Sequence, residues 1–94
     1  MSNELATLYQ DDTFIVKAQL VEGNPFIHVS VLEFSLDVRK RMKEVWEDIK
    51  VGFYYEGYDA LYAVSLNHKF SKVMGGELQS TLEDGKGVYK WETL

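Results

Sequence analysis

The stretch SLDVRKRMKEVWEDIKVGFYYEG, residues 35–57, carries the strongest periodic pattern in this sequence and decides the class of fold. Ser35 suits the N-cap of a helix, and Gly57 suits the left-handed position that follows a helix C-terminus. Between them, apolar side chains recur every three or four residues, at Val38, Met42, Val45, Trp46, Ile49 and Phe53. This period is typical of an amphipathic helix with one buried face. We therefore predict one long helix at about residues 35–56.

Segments rich in β-branched and apolar residues precede this helix and are separated by turn residues. The segments are residues 5–9, 13–21 and 26–32, and the turns between them are DD at residues 11–12 and EGNP at residues 22–25. Asp, Asn, Gly and Pro favour turns, whereas β-branched residues favour strands. We predict three strands that form an antiparallel meander.

The remainder of the chain predicts three more strands and one short helix. Residues 59–65, 77–82 and 88–92 have the composition of strands. Between the first two, LNHKFSKVMGGEL (residues 66–78) predicts a helix at about residues 68–74 that stops at a double glycine. The long helix would make a parallel β-α-β crossover. The predicted fold is α/β (mixed α+β), a twisted mixed sheet of about six strands in the order β-β-β-α-β-α-β-β.

Composition limits the classes of function that this chain can serve. Its 94 residues suit one domain, residues 1–94, and 46% of them are hydrophobic. A net charge of −5 opposes binding to nucleic acid, which requires a basic surface. No apolar run approaches the roughly 20 residues that span a bilayer, and no cysteine is present to form a disulfide. Because the N-terminus has no signal-peptide pattern, we expect a cytoplasmic protein that binds neither nucleic acid nor membrane.

The two histidines do not indicate a metal site or a catalytic site. His28 and His68 lie on different predicted elements, without the ligand spacing of a zinc site. A Ser-His-Asp group assembled from Ser65, His68 and Asp59 lacks the nucleophile elbow that would expose the serine. We therefore assign no metal ligand and no catalytic residue.

A local motif carries a resemblance to a known family. Asn67 followed by FSKVMGG at residues 70–76, together with VYKW at residues 88–91, resembles the C-terminal part of the GNAT family of N-acetyltransferases. The resemblance covers about residues 12–92 and includes the predicted order of elements. The chain is also similar to the small, divergent GNAT-like proteins of tailed bacteriophages. This resemblance implies a truncated GNAT-like domain that a bacteriophage encodes and that acts in the host cytoplasm.

The sequence departs from the family at positions that serve catalysis. In GNAT proteins a glycine-rich loop holds the pyrophosphate of acetyl-CoA, but EFSLDVR at residues 33–39 has no glycine and two acidic residues. Ser71 stands where the family commonly has a tyrosine that protonates the departing thiolate, and a serine hydroxyl is too weakly acidic for that role. The first strand and two helices of the family have no counterpart here. We therefore expect a non-catalytic GNAT-fold module for protein–protein interaction, without a cofactor.

The alternative function is that of a minimal N-acetyltransferase that depends on acyl-CoA. Such a protein would hold acetyl-CoA between the strands that end near residues 32 and 65. The resemblance then places Val31, Ser35, Arg39 and Asn67 against the cofactor.

Aromatic residues are the candidates for contact with a protein partner, because Tyr and Trp are enriched at interfaces. Phe53, Tyr54 and Tyr55 lie near the end of the long helix, and Tyr89 and Trp91 lie on the C-terminal hairpin. A second interpretation stays open for the helix end. In it, Phe53 packs inside the protein and the tyrosines cap the helix with their hydroxyls in water.

We also expect the protein to form a homodimer. An exposed sheet edge or face is commonly covered by a second copy related by a two-fold axis. The C-terminal hairpin is the expected edge, so the contact is placed at Val88, Tyr89 and Trp91. In the alternative, the strand that starts at Leu5 covers the sheet and the protein is monomeric.

Overall fold

Three strands precede a long helix, and a short second helix lies between the fourth and fifth strands. The structure, a computed structural model, describes residues 5–93. The elements are β1 (Ala6–Gln10), β2 (Phe14–Val21), β3 (Asn24–Val31), α1 (Leu36–Tyr55), β4 (Ala60–Ser65), α2 (His68–Val73), β5 (Glu77–Thr81) and β6 (Gly87–Glu92). The predicted fold class and order of elements are therefore confirmed, with small shifts at the boundaries.

All six strands form one mixed sheet in the order β1-β2-β3-β4-β6-β5. The first three strands are an antiparallel meander, as predicted. β3 and β4 are parallel neighbours joined through α1, whereas β6 is antiparallel to both β4 and β5. The last strand is thus inside the sheet, and the edges are β1 and β5. Long-range pairing of this kind is not visible in any local sequence pattern.

The turn between β2 and β3 is shorter than the sequence predicted. Val21 pairs with Asn24, so the loop contains only Glu22 and Gly23, both with positive φ (53° and 81°). This two-residue geometry matches the right-handed twist of the flanking strands. Pro25 therefore belongs to β3 rather than to the turn.

The C-terminus of α1 ends in a glycine cap. Gly57 has a φ of 96°, and its N–H donates to the carbonyl of Tyr54 at 3.0 Å. The next N–H, of Tyr58, donates to the carbonyl of Phe53 at 3.0 Å, and the two rings pack edge to face at 5.5 Å. These bonds and the ring contact are those of a Schellman motif. The prediction that Gly57 takes the left-handed position is confirmed.

The core lies on one face of the sheet, beneath both helices. Alternate residues of β2 and the predicted stripe of α1 are buried together, and Phe70 and Met74 of α2 and its C-cap pack against the same cluster. Its buried members are Phe14, Val16, Ala18, Ile27, Val38, Met42, Trp46, Leu61, Tyr89 and Trp91. Within the described residues, the other face of the sheet contains no buried member of this core.

A polar cluster fastens the β1–β2 turn to α1. The Asp11 carboxylate accepts hydrogen bonds from the hydroxyls of Thr13 and Tyr9, and Arg41 donates to it at 2.7 Å. The Thr13 hydroxyl, followed by the Tyr9 hydroxyl, holds the pKa of Asp11 well below its usual range, because both bonds favour the ionised carboxylate. The same contact with Asp11 raises the pKa of Arg41. This cluster has a structural role, since each of its side chains forms a hydrogen bond with another side chain of the cluster.

Candidate functional site

The central feature of the sheet is a gap between its two parallel strands. In the described residues, β3 and β4 pair at one position only, where Phe26 lies opposite Tyr62 and the two rings stack at 5.4 Å. Within the described residues, the register of the two strands includes no second pair. Residues near the carboxyl ends of both strands, among them Val29, Val31 and Val64, line one cleft, which places an opening between the two strand ends.

The exposed backbone of β3 can be located from its hydrogen bonds to β2. The N–H of Leu32 donates to the carbonyl of Thr13 at 2.7 Å, and the β2–β3 register continues without a bulge. Backbone groups of successive residues alternate between the two edges of a strand. The N–H and C=O of Val29 and Val31 therefore point away from β2 and into the gap. Pro25 also points its backbone nitrogen away from β2, which suits a residue that has no N–H to donate to that strand.

The opposite side of the gap is formed by β4. The N–H of Thr93 donates to the carbonyl of Asp59 at 3.0 Å, which fixes the positions of β4 that face β6. By the same alternation, the N–H and C=O of Val64 face β3. The side chains beside these backbone groups, those of Val29, Val31 and Val64, are all exposed. No described element therefore covers this part of the gap.

Above the gap lies an apolar cleft of about 210 Å³. Side chains from β2, β3, α1, β4 and α2 form its walls, among them Val16, Val29, Val45, Ala63, Phe70 and Met74. The cleft is larger than the roughly 150 Å³ cavity that holds benzene in an engineered protein. It therefore has room for one aromatic or branched aliphatic group.

Trp46 forms part of the cleft wall and has an unsatisfied polar group. Its side chain is 6% exposed and packs edge to face on Trp91, with ring centroids 4.8 Å apart. Within residues 5–93, the buried indole N–H of Trp46 has no hydrogen-bond partner. Trp91 differs, because its indole N–H donates to the carbonyl of Met74 at 3.0 Å. The indole N–H groups of Trp46 and Trp91 therefore differ in whether they are hydrogen-bonded.

The polar groups of the cleft are few and uncharged. Apart from the indole N–H groups, they come from Ser65, Asn67 and Ser71, and Ser71 is buried. Asn67 is the N-cap of α2, where its side-chain oxygen accepts from the N–H of Phe70 at 2.9 Å. None of the described residues that line the cleft has a side chain that ionises near neutral pH. The lining thus offers no general acid or base.

Two of the four residues predicted to hold acetyl-CoA line the cleft, and the other two do not. Val31 and Asn67 line the cleft, whereas Ser35 and Arg39 are not among its lining residues. Ser35 is the N-cap of α1, and its hydroxyl accepts from the N–H of Val38 at 3.2 Å. The side chain of Ser35 is therefore already used in capping the helix.

A group of strongly exposed apolar side chains lies in the segments after β3 and β4, close in the chain to residues that line the cleft. Leu32 and Phe34 follow β3 and are 64% and 59% exposed. Leu36 begins α1 and is 73% exposed, and Leu66 follows β4 and is 63% exposed. Phe34 reaches across to α2, where its ring meets that of Phe70 edge to face at 6.4 Å. We call Leu32, Phe34, Leu36 and Leu66 the rim. The sequence patterns did not single out the rim. Phe34 and Leu66 are apolar residues in predicted loops, which is a signal for exposure, but Leu32 and Leu36 fall in a predicted strand and a predicted helix.

The interface assigned to the C-terminal hairpin is wrong. Tyr89 and Trp91 are core residues rather than exposed ones, because β6 lies inside the sheet and both side chains point beneath the helices. Val88 is on the other face of this internal strand and is half-buried. A dimer contact formed by these three residues is therefore excluded by their burial and by the position of β6.

The three aromatic candidates at the end of α1 differ in their exposure. Phe53 is half-buried and packs against the core and against Tyr58. Tyr54 and Tyr55 are exposed, with their rings 5.7 Å apart. The interpretation in which Phe53 packs inward agrees with this arrangement. Only the two tyrosines remain available for contact with a partner.

His68 connects α2 to the C-terminal hairpin. Its Nε2 lies 2.9 Å from the carbonyl oxygen of Gly85, and its Nδ1 contacts the hydroxyl of Tyr89. A carbonyl can only accept, so Nε2 carries the proton and Nδ1 accepts from the tyrosine when the ring is neutral. Both ring nitrogens are thus occupied by structural contacts. Within residues 5–93, no group of three or more His, Asp or Glu side chains is arranged to hold a metal ion.

Comparison with known proteins adds no assignment. No protein-family model matches the chain, and neither the curated proteins nor the solved structures include a match. The resemblance to GNAT proteins consequently rests on residues 67–76, residues 88–91 and the order of elements. Neither helix of the described chain is both long and apolar enough to cross a membrane.

Proposed function

We propose that this protein is a non-catalytic GNAT-fold interaction module that binds a partner protein through the rim. One observation carries the proposal. Among residues 5–93, four of the five most exposed large apolar side chains are the rim residues, and Tyr55 is the fifth. Scattered apolar side chains are normal on a protein surface, but a group of strongly exposed ones beside one cleft marks a site of interaction.

The physical basis for binding is removal of the rim from water. Burial of apolar surface contributes about 25 cal/mol per Å², so an exposed group of Leu and Phe side chains favours association. The rim also adjoins the cleft, because Phe34 contacts Phe70 of the cleft wall. Leu32 and Leu66 are sequence neighbours of residues that line it. A partner that covers the rim would therefore lie beside the cleft. If the chain is phage-encoded, as the resemblance implies, that partner is a host protein.

The apolar cleft between β3 and β4 favours a second candidate, the acyl-CoA-dependent N-acetyltransferase. Its position agrees with the place expected for an acyl group. Three features oppose it. The cleft lining has no ionisable side chain, and the Ser71 hydroxyl is a poor acid. Glu33 in the loop before α1 and Asp37 in the first turn of α1 lie where phosphates would be held.

Acetyl-CoA should show no saturable binding in the low micromolar range. Without glycines, the backbone of the loop before α1 cannot approach a pyrophosphate closely, and the carboxylates of Glu33 and Asp37 repel it. Titration of the purified protein by calorimetry checks this expectation. Saturable low-micromolar binding would favour the acetyltransferase and overturn the non-catalytic assignment.

Charge placed on the rim should abolish binding of the partner. Leu32→Asp with Leu66→Asp places carboxylates where we expect apolar surface to be buried. Val51→Asp is a matched control, since Val51 is also half exposed but lies on α1 and outside the rim. Each form is immobilised and exposed to a bacterial lysate. We expect one protein to be retained by wild type and by the Val51 variant and lost by the rim variant, and retention by all three would contradict the role of the rim.

A second copy of the chain is included among the partners of this proposal. Light scattering at micromolar concentration identifies it without a lysate. A mass near twice 10.9 kDa that returns to 10.9 kDa in the rim variant would place the homodimer contact at the rim. A mass of 10.9 kDa at every dilution would show that the partner is a different protein.

A further inference from the structure

We propose that the partner contributes an extended, apolar peptide segment that pairs with the open edge of β3 and places one side chain in the cleft. The inference rests on the proposed interaction function and specifies the chemistry of the segment that would be bound. It is carried by the juxtaposition of two features, the open backbone of Val29 and Val31 and the apolar cleft beside it.

The backbone in the gap determines what kind of ligand fits. Val29 and Val31 each present one N–H donor and one C=O acceptor to the gap, and Val64 presents the same pair from β4. Residues two apart on a strand are about 6.6 Å apart, and an extended peptide repeats its own donors and acceptors at that spacing. An open strand edge is accordingly a template for a further strand, which is a recurrent mode of peptide recognition.

The cleft determines the side chain that the segment carries. Alternate side chains of an added strand point to opposite faces of the sheet, so every second one would point beneath the helices. The cleft lies on that face, holds about 210 Å³ and is lined mainly by apolar groups. It therefore selects one large apolar residue, such as Phe or Leu. Rim contacts with neighbouring apolar residues of the segment would continue this surface.

A library of random eight-residue peptides displayed on phage tests the inference without knowledge of the natural partner. The full chain is immobilised, and clones that also bind the Leu66→Asp variant are removed. We expect enrichment of sequences with an apolar residue at alternate positions and a large one among them. The absence of any enriched sequence would overturn the proposal.

A proline substitution then tests whether the enriched peptide pairs with β3. Because the N–H of Val31 faces the gap, Val31→Pro removes that donor without removing a bond to β2. Val31→Ala is the matched control, since it shortens the same side chain and retains the N–H. One hydrogen bond corresponds to a loss of about fivefold to tenfold in affinity. We expect this loss for proline relative to alanine, measured by fluorescence polarisation at equal thermal stability.

Modification of the peptide tests the same contact on unaltered protein, so the result does not depend on folding of a variant. Two peptides are compared, one N-methylated at the odd-numbered amides and the other at the even-numbered amides. Only every second amide faces β3, so one of the two peptides should lose binding. Binding that neither methylation pattern weakens would overturn strand pairing. If strand pairing failed this test but the rim variant had lost binding of the partner protein, the proposed interaction function would stand without strand pairing. Displacement of the peptide by acetyl-CoA would make acyl-CoA the occupant and overturn both.

Discussion

Trp46→Ala should lower the free energy of unfolding by about 3–5 kcal/mol, the usual effect of truncating a large buried aromatic side chain. Trp46 is in the middle of α1 and is almost fully buried, and its ring packs on Trp91 of the internal strand β6. The substitution removes this contact between helix and sheet and enlarges the cleft. Domains of this size are stable by only about 5–15 kcal/mol, so a substantial share of the stability would be lost.

Urea unfolding measures the effect directly, and the thermal midpoint should fall by more than about 10 °C. Trp46→Phe is the informative control. The indole N–H of Trp46 has no partner in residues 5–93, so its removal leaves no acceptor unsatisfied. We expect the phenylalanine variant to lose much less stability than the alanine variant. If the two were equally destabilised, the indole N–H would have a partner that this geometry does not show.

The helices and most strand boundaries could be predicted because their signals are local. The stripe from Val38 to Phe53 repeats at the helical period, and Ser35 and Gly57 carry the capping chemistry that the structure shows. Turn residues divide the strands in the same way. The loop between β2 and β3 was predicted too long, since its sequence permits turn residues at four positions although the chain reverses at two.

The order of strands could not be predicted from these signals. Alternation in VYKW predicts that Tyr89 and Trp91 lie on one face of a strand, and both side chains are buried on the same face of β6. It contains no information on whether that strand is at an edge or inside the sheet. Because β6 inserts between β4 and β5, the face that holds both aromatics is covered by the helices. The predicted interface failed for this reason.

The candidate site was predicted only in part, because it depends on where two distant strands separate. Val31 and Asn67 were placed at the cleft by resemblance, and both line it. The single pair of Phe26 with Tyr62 fixes where the gap begins, and no local pattern encodes that pair. The rim depends on the same separation, since Leu32 and Leu66 become neighbours of the cleft only through the sheet.

Gly76→Ala should destabilise the protein by about 1–3 kcal/mol, the effect of forcing an extra methyl group into a packed site. A Cβ at this position would lie 2.6 Å from Cζ2 of Trp91 and 2.9 Å from the backbone oxygen of Ser71. Neither neighbour can move freely. The indole of Trp91 is tethered to the carbonyl of Met74, and the Ser71 oxygen accepts from the N–H of Gly76 itself at 2.9 Å.

The same substitution at Gly52 should have the opposite sign, which separates packing from a general effect of alanine. Gly52 is in α1, and a Cβ there would meet no atom within 4 Å. Alanine is favoured over glycine inside a helix by about 0.8–1.0 kcal/mol, so Gly52→Ala should raise the free energy of unfolding. Urea unfolding of both variants, with tryptophan fluorescence as the signal, measures the pair. An unchanged midpoint for Gly76→Ala would mean that the Trp91 ring has room to move, and the contact of Trp91 with Trp46 would then be looser than the geometry indicates.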